Sequence, residues 1–155
     1  MKIEYEYTFG LPRGIVWRDL KDENILRNSL PGCKSFVEKS NGCYQAELEI
    51  SIGPIKDLFI FEIRREKEKS PAFYRLLVKG KGNLGEIDTT ADIMIEESHG
   101  VSKLTFSTDA QVTGALSLAG ERILAAGAKK SLESFFQKME KEIKRRLYQL
   151  KRDSG

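Results

Sequence analysis

Histidine and cysteine are nearly absent: the 155 residues hold one of the first and two of the second. That excludes a convincing zinc set and leaves a Ser-His-Asp hydrolase only His99 to draw on. His99 sits between Ser98 and Gly100 in a turn signal, where a catalytic base finds neither a held geometry nor a substrate. The cysteines, Cys33 and Cys43, flank the hairpin signal Asn41-Gly42. With that turn, Ser40 faces Cys43 and Cys33 faces Ile50, so the sulfurs lie beyond disulfide reach and both thiols are expected free. No run approaches the ~18–20 apolar residues of a membrane span. The opening MKIEYEYTFG alternates charged and apolar residues and lacks the apolar stretch of a secretory signal, so a cytoplasmic protein is expected. The net charge of +3 is too small to imply nucleic acid. No cofactor is expected.

What is present suits one soluble domain over residues 1–155, long enough to bury roughly 70% of its unfolded surface. Apolar residues make up 40% and charged residues 32%, an ordinary balance for a solvated globule. Residues 2–9 alternate, with Ile3, Tyr5, Tyr7 and Phe9 on one face, which predicts a strand. Pro12 opens a short helix carrying Ile15, Val16, Trp17 and Leu20. A second runs from its cap Asp22 to Asn28. Strands follow at 33–40, 43–52, 56–66 and 72–80, with the charged run Glu66 to Lys69 and then Ser70-Pro71 read as a turn.

Residues 80–86, GKGNLGE, carry the spacing G-x-G-x-x-G that cradles a dinucleotide pyrophosphate. Such a site needs a helix behind the glycines to hold the phosphate. Here the next residues, EIDTTADIMIEE, alternate with Ile87, Thr89, Ala91, Ile93 and Ile95 on one face, which is strand. The glycines therefore join strand to strand, as a flexible loop or bulge that could cover the mouth of a cavity. After the Ser98-His99-Gly100 turn, residues 101–112 alternate with Leu104, Phe106, Thr108, Ala110 and Val112 inward.

From Gly114 the period becomes helical. Leu116, Ile123 and Leu124 lead into Leu132, Phe135, Phe136, Met139, Ile143, Leu147 and Leu150, one apolar stripe over more than 30 residues. The fold class is therefore α+β: about seven antiparallel strands, two short helices after the first, and a long final helix covering the apolar face of a curved sheet.

That order resembles the helix-grip fold of the START-like superfamily. More narrowly, Pro31-Gly32-Cys33-Lys34-Ser35, Gly53-Pro54-Ile55-Lys56, Gly80-Lys81-Gly82 and the stretch DAQVTGALSLAGERILAAGAKKSLESFF from Asp109 to Phe136 resemble the G subunit of carbon monoxide dehydrogenase. The similarity covers roughly residues 12–145. The chain departs from the family at Thr113-Gly114, where Gly-Gly is common, and at Asp57, where glycine is common. The resemblance implies an accessory protein rather than a redox subunit. It would support a molybdenum-containing carbon monoxide dehydrogenase at the membrane and handle a quinone in an apolar cavity. Longer members continue into a membrane-anchoring tail, and permanent anchoring is not expected of a chain that stops at Gly155.

The expected cavity follows from small residues on both facing surfaces. Thr89, Ala91, Thr108 and Ala110 on the strands face Ala115, Ala119, Gly120 and Ala125 to Ala128 on the helix, leaving either close backbone packing or space. Its walls would come from Leu48, Ile50, Phe59, Phe61, Leu76, Val78 and Ile93, with Leu116, Ile123 and Leu124 from the helix; Thr89 and Thr108 would supply polar contacts to a lipid or quinone. Trp17 either packs in the core or lines the entrance. A cyclase-type enzyme would need inward acids or bases, for which a shifted register would have to turn in Glu62 or Arg75. A docking module with a filled core is the third reading.

Residues 138–152 carry +5 and the rest of the chain −2. Cations near a helix C-terminus suit its dipole, and Glu140–Lys144 and Glu142–Arg146 are well-oriented pairs. The alternative is contact of Lys141, Lys144, Arg145 and Arg146 with an acidic partner or an anionic membrane face.

Overall fold

Alternating inward and outward residues build seven strands: β1 (Lys2–Phe9), β2 (Cys33–Ser40), β3 (Cys43–Ile52), β4 (Ile55–Lys69), β5 (Phe73–Gly82), β6 (Gly85–Ser98) and β7 (Val101–Thr113). The computed structural model describes residues 1–154. All neighbours are antiparallel in the order β1-β7-β6-β5-β4-β3-β2, forming a curved sheet. Helices α1 (Arg13–Asp19) and α2 (Glu23–Ser29) follow β1, and α3 (Glu121–Ser154) ends the chain. Pro12 stands at the start of α1, and the Asp22 carboxylate accepts from the Asn24 and Ile25 N–H groups at 2.9 and 3.0 Å to cap α2.

Four local expectations are corrected. The run Glu66 to Lys69 belongs to β4, which bulges between Glu66 and Lys69 where Lys67 has φ 52°. Cys33 pairs with Leu48 rather than Ile50 because two register shifts interrupt β2; both thiols are free. The glycine stretch is a tight hairpin: Gly82 pairs with Gly85 across Asn83-Leu84. Its glycines answer to crowding, since a Cβ on Gly80 would overlap the Phe61 ring and one on Gly82 would lie 2.8 Å from Phe59.

The fourth concerns the final helix, which is not continuous from Gly114. Residues Ala115–Ala119 make a separate 3-10 turn bounded by Gly114 (φ 79°) and Gly120 (φ 88°), left-handed conformations that glycine tolerates. The Leu116 N–H donates to the Leu84 carbonyl at 2.7 Å, tying this turn to the β5–β6 hairpin.

Apolar side chains between sheet and helices form two clusters. One holds Phe9, Val16, Trp17, Tyr74, Ile95 and Leu104 against Phe136, Met139 and Ile143 of α3. The other holds Phe36, Tyr44, Ala46, Phe59 and Phe61 with Leu116 and Leu124. The first lies under the middle and C-terminal part of α3, the second under the 3-10 turn and the start of α3.

A candidate ligand cavity between sheet and helix

Strand register creates a hollow. Val78 pairs with Thr89 and Thr89 with Ala110, while Ala91 pairs with Thr108. Small inward side chains are thus aligned across three neighbouring strands, and none spans the roughly 10 Å to a packed layer above. The facing stretch of α3 contributes small residues too, Ala128 and Ser131, beside Leu124. The result is a half-open cavity of about 480 Å3. Its floor includes Ile3, Leu48, Ile50, Phe61, Val78, Ile87, Phe106 and Val112; its roof is Leu116, Leu124, Ala128, Leu132 and Phe135; Leu30, Pro31 and Gly32 form one side.

The polar groups are few. Thr89 and Thr108 hydrogen-bond through their hydroxyls. The Thr108 hydroxyl also donates to the Thr90 carbonyl at 2.8 Å, and that of Thr89 approaches the Asp109 carbonyl at 3.3 Å. With its proton directed to either partner, Thr89 keeps accepting capacity; rotated, it donates. Among the described residues the one charged lining side chain is Glu49. It is partly exposed and lies 3.6 Å from Lys56 and 4.0 Å from Lys34, at the rim. The cavity is therefore apolar with a neutral hydrogen-bonding spot.

Nine of the fourteen residues expected at this site line it: Leu48, Ile50, Phe61, Val78, Thr89, Thr108, Ala110, Leu116 and Leu124. Five do not. Trp17 packs in the first core cluster, edge-on to Tyr74 at 5.4 Å, with the Lys21 ammonium 4.4 Å from its ring centroid. Ile93 is buried in that cluster and Leu76 packs against it. Phe59 is fully buried and stacks on Phe61 at 5.9 Å. Ile123 is 54% exposed, because the break at Gly120 resets the helical phase on which its inward placement depended. Alternation gives the face of a strand but not the distance along it. Lining residues not expected as cavity walls, such as Leu132 and Phe135, continue the i, i+8, i+11 spacing from Leu124, and Ala128, expected among the small facing residues, lines the cavity.

Neither Glu62 nor Arg75 is turned into the cavity by a register shift. Glu62 is exposed on the outer face, and Arg75 pairs there with Asp92 at 2.6 Å. A depression of about 420 Å3 on this outer face is lined by Lys39, Glu62, Arg64 and Lys79 and has the mixed charge of ordinary surface. Asp57 does point inward, on the face of Phe59 and Phe61, but its carboxylate accepts from the Leu84 N–H at 2.8 Å and pins the hairpin turn.

Three of the seven cations at the basic end of α3 are held by partners, Lys144, Arg145 and Arg146; Lys138, Lys151 and Arg152 make no ion pair among the described residues. Lys144 pairs with Glu140 at 3.1 Å and Arg145 with Glu142 at 2.7 Å. Glu142 thus takes Arg145 rather than Arg146. Arg146 instead reaches Asp22 at 3.1 Å and the fully buried Asp19 at 3.4 Å, which Arg18 contacts from the other side at 2.9 Å. Burial pulls the Asp22 carboxyl up, but the Arg146 guanidinium and the two capping N–H groups outweigh it and hold its pKa below the ordinary 3.8. Lys141 makes no ion pair among the described residues. No described helix is long and apolar enough to cross a membrane.

A curved antiparallel sheet gripping a long C-terminal helix over a hollow defines a START-like, helix-grip protein. A family model for the G subunit of carbon monoxide dehydrogenase (CoxG) matches residues 9–144, and the chain belongs to that family. It is similar to a conserved protein from Geobacillus kaustophilus, with 29% identity and a TM-score of 0.89 over 94% of this chain and 96% of that one. A START superfamily protein from Mycobacterium smegmatis (10% identity, TM-score 0.71, 93% and 97% covered) shares the fold. So does the Zhui aromatase/cyclase from Streptomyces sp. R1128 (13%, 0.70, 95% of each). A search of curated proteins gave no significant match.

Proposed function

We propose that the protein is a non-catalytic accessory module that carries a neutral hydrophobic molecule, a lipid or a quinone, between sheet and α3. It would act in the cytoplasm, at the inner membrane face, and serve an oxidoreductase partner of the carbon monoxide dehydrogenase type. The observation that carries this reading is the hollow itself: about 480 Å3, walled by aliphatic and aromatic side chains, with the Thr89–Thr108 hydroxyl pair as its interior polar group. A charge placed there would be unpaired and strongly disfavoured, whereas a carbonyl or hydroxyl finds one partner. The volume equals about sixteen water-sized groups, enough for a ring with a short tail or part of an acyl chain. A longer tail would leave through the open side. The aromatase/cyclase neighbour supports the shared fold alone, and no titratable side chain in the hollow favours catalysis over carriage.

Native mass spectrometry of protein purified gently from its own cells, followed by organic extraction, tests the reading. A lipid or quinone at near one-to-one ratio is expected. A bare mass that stays bare with added quinones and neutral lipids would overturn it.

A further inference from the structure

The segment that roofs the cavity is apolar on its outer side as well. Ala115 to Ala128 reads ALSLAGERILAAGA and contains two charged residues. Leu116, Leu124 and Ala128 point into the cavity, while Leu118 is 86% exposed and Ile123 54% exposed. These two large apolar side chains on the outer side of the segment have no partner among the described residues. On the same N-terminal stretch of α3, Arg122, Lys129 and Lys130 are all exposed and in no ion pair among the described residues. The acid of the stretch, Glu121, lies 3.9 Å from the N-terminal ammonium.

We propose that this roof, the 3-10 turn and first three turns of α3, docks on an anionic phospholipid bilayer, with Leu118 and Ile123 inserted and Arg122, Lys129 and Lys130 on the lipid phosphates. Protruding aliphatic side chains on a segment with unpaired cations are the chemistry of interfacial insertion. The basic C-terminal end also carries unpaired cations, Lys138, Lys141, Lys151 and Arg152, and the exposed Tyr148 and Leu150, but Lys144, Arg145 and Arg146 are paired there and that end stands away from the cavity. Lys144 also lies about 13 Å along the helix from Phe135, the last cavity residue. Docking through the roof brings the cavity to the bilayer. In that sense the proposal rests on the carrier reading, although the lipid contact itself does not require a cargo.

Flotation with vesicles of equal parts phosphatidylcholine and phosphatidylglycerol, against phosphatidylcholine alone, tests it. A parallel titration with N-phenylnaphthylamine reads the cavity. The wild type should float with the anionic vesicles and lose binding in high salt. Leu118→Asp should weaken vesicle affinity about tenfold or more. The pair Arg122→Glu and Lys130→Glu should weaken it by at least about fivefold per cation. Both variants should bind the dye as the wild type does. No flotation at low salt, or loss of flotation in Lys144→Glu/Arg145→Glu with Leu118→Asp unaffected, would overturn the proposal. Flotation that depends on Leu118 in a protein that takes up no dye would support the docking and sink the cargo reading.

Discussion

Tyr7 and Glu140 join the first strand to the last helix. The Tyr7 hydroxyl donates to Glu140 at 2.6 Å, the Gly10 N–H donates to the same carboxylate at 2.8 Å, and Lys144 lies 3.1 Å away. Burial raises the Glu140 carboxyl, but these three partners outweigh it and hold its pKa below the ordinary 4.5. A folded-state pKa below the unfolded one means that this stabilisation is complete above about pH 4.5 and fades as pH falls through the lower, folded value. Tyr7→Phe should therefore cost about 1–2 kcal/mol at neutral pH and flatten the acid limb of the stability curve, measured by urea unfolding at several pH values. An unchanged acid limb would show that Tyr7 does not set this titration. Gly80 makes a different kind of demand. An added Cβ would run into the Phe61 ring, so Gly80→Ala should cost about 1–3 kcal/mol, and Phe61→Leu in the same chain should recover part of it. Equal and additive losses in the double-mutant cycle would mean that the ring moves freely out of the way.

At the scale of elements, the exposed edge of the sheet is managed by α2. Arg27 donates to the Phe36 carbonyl at 3.0 Å, and the Glu23 carboxylate accepts the Glu38 N–H at 3.1 Å while pairing with Arg27 at 2.6 Å. Two backbone groups of edge strand β2 are thus occupied by side chains that cannot propagate a sheet. Arg27→Ala should lower stability by about 1 kcal/mol and raise the rate of aggregation on mild heating, followed by light scattering. Aggregation no faster than wild type would show that the edge is protected by other means. Elements of this kind were legible in the sequence because their signals are local. Alternation marked the inward faces of every strand but β2, Asn41-Gly42 and His99-Gly100 marked hairpins, and Asp22 marked a cap. The losses came where a local signal met a distant constraint. Glu66 to Lys69 has the composition of a turn, yet Arg65 is held by Tyr44 and Glu68, and β4 continues through a bulge. Leu116 and Leu124 share a stripe in sequence, yet Gly120 separates them into two elements. Leu76 and Ile93 face inward as read, but their position along the sheet, set by packing under α1, takes them away from the hollow.

At the scale of the molecule, α3 is asymmetric. Its middle and C-terminal part seals a dense cluster in which Phe136, Met139 and Ile143 are at most 1% exposed, against strands, α1 and α2. Its N-terminal part spans a hollow on small residues. Stability and binding should therefore separate along one helix. Met139→Ala removes a fully buried side chain from dense packing and should cost about 2–5 kcal/mol. Ligand affinity under conditions where the protein stays folded should be close to wild type. Ala128→Leu adds volume where there is space and improves no polar contact; stability should hold or rise by about 1 kcal/mol, while uptake of a neutral apolar dye falls at least tenfold. Chemical unfolding and dye titration on both variants read the two quantities. A large stability loss in Ala128→Leu would mean that the hollow collapses in solution onto close backbone packing. In that case carriage would have no room, and the roof would be left as a docking surface alone. If the two effects separate as expected, the small residues of α3 are retained for what they leave empty.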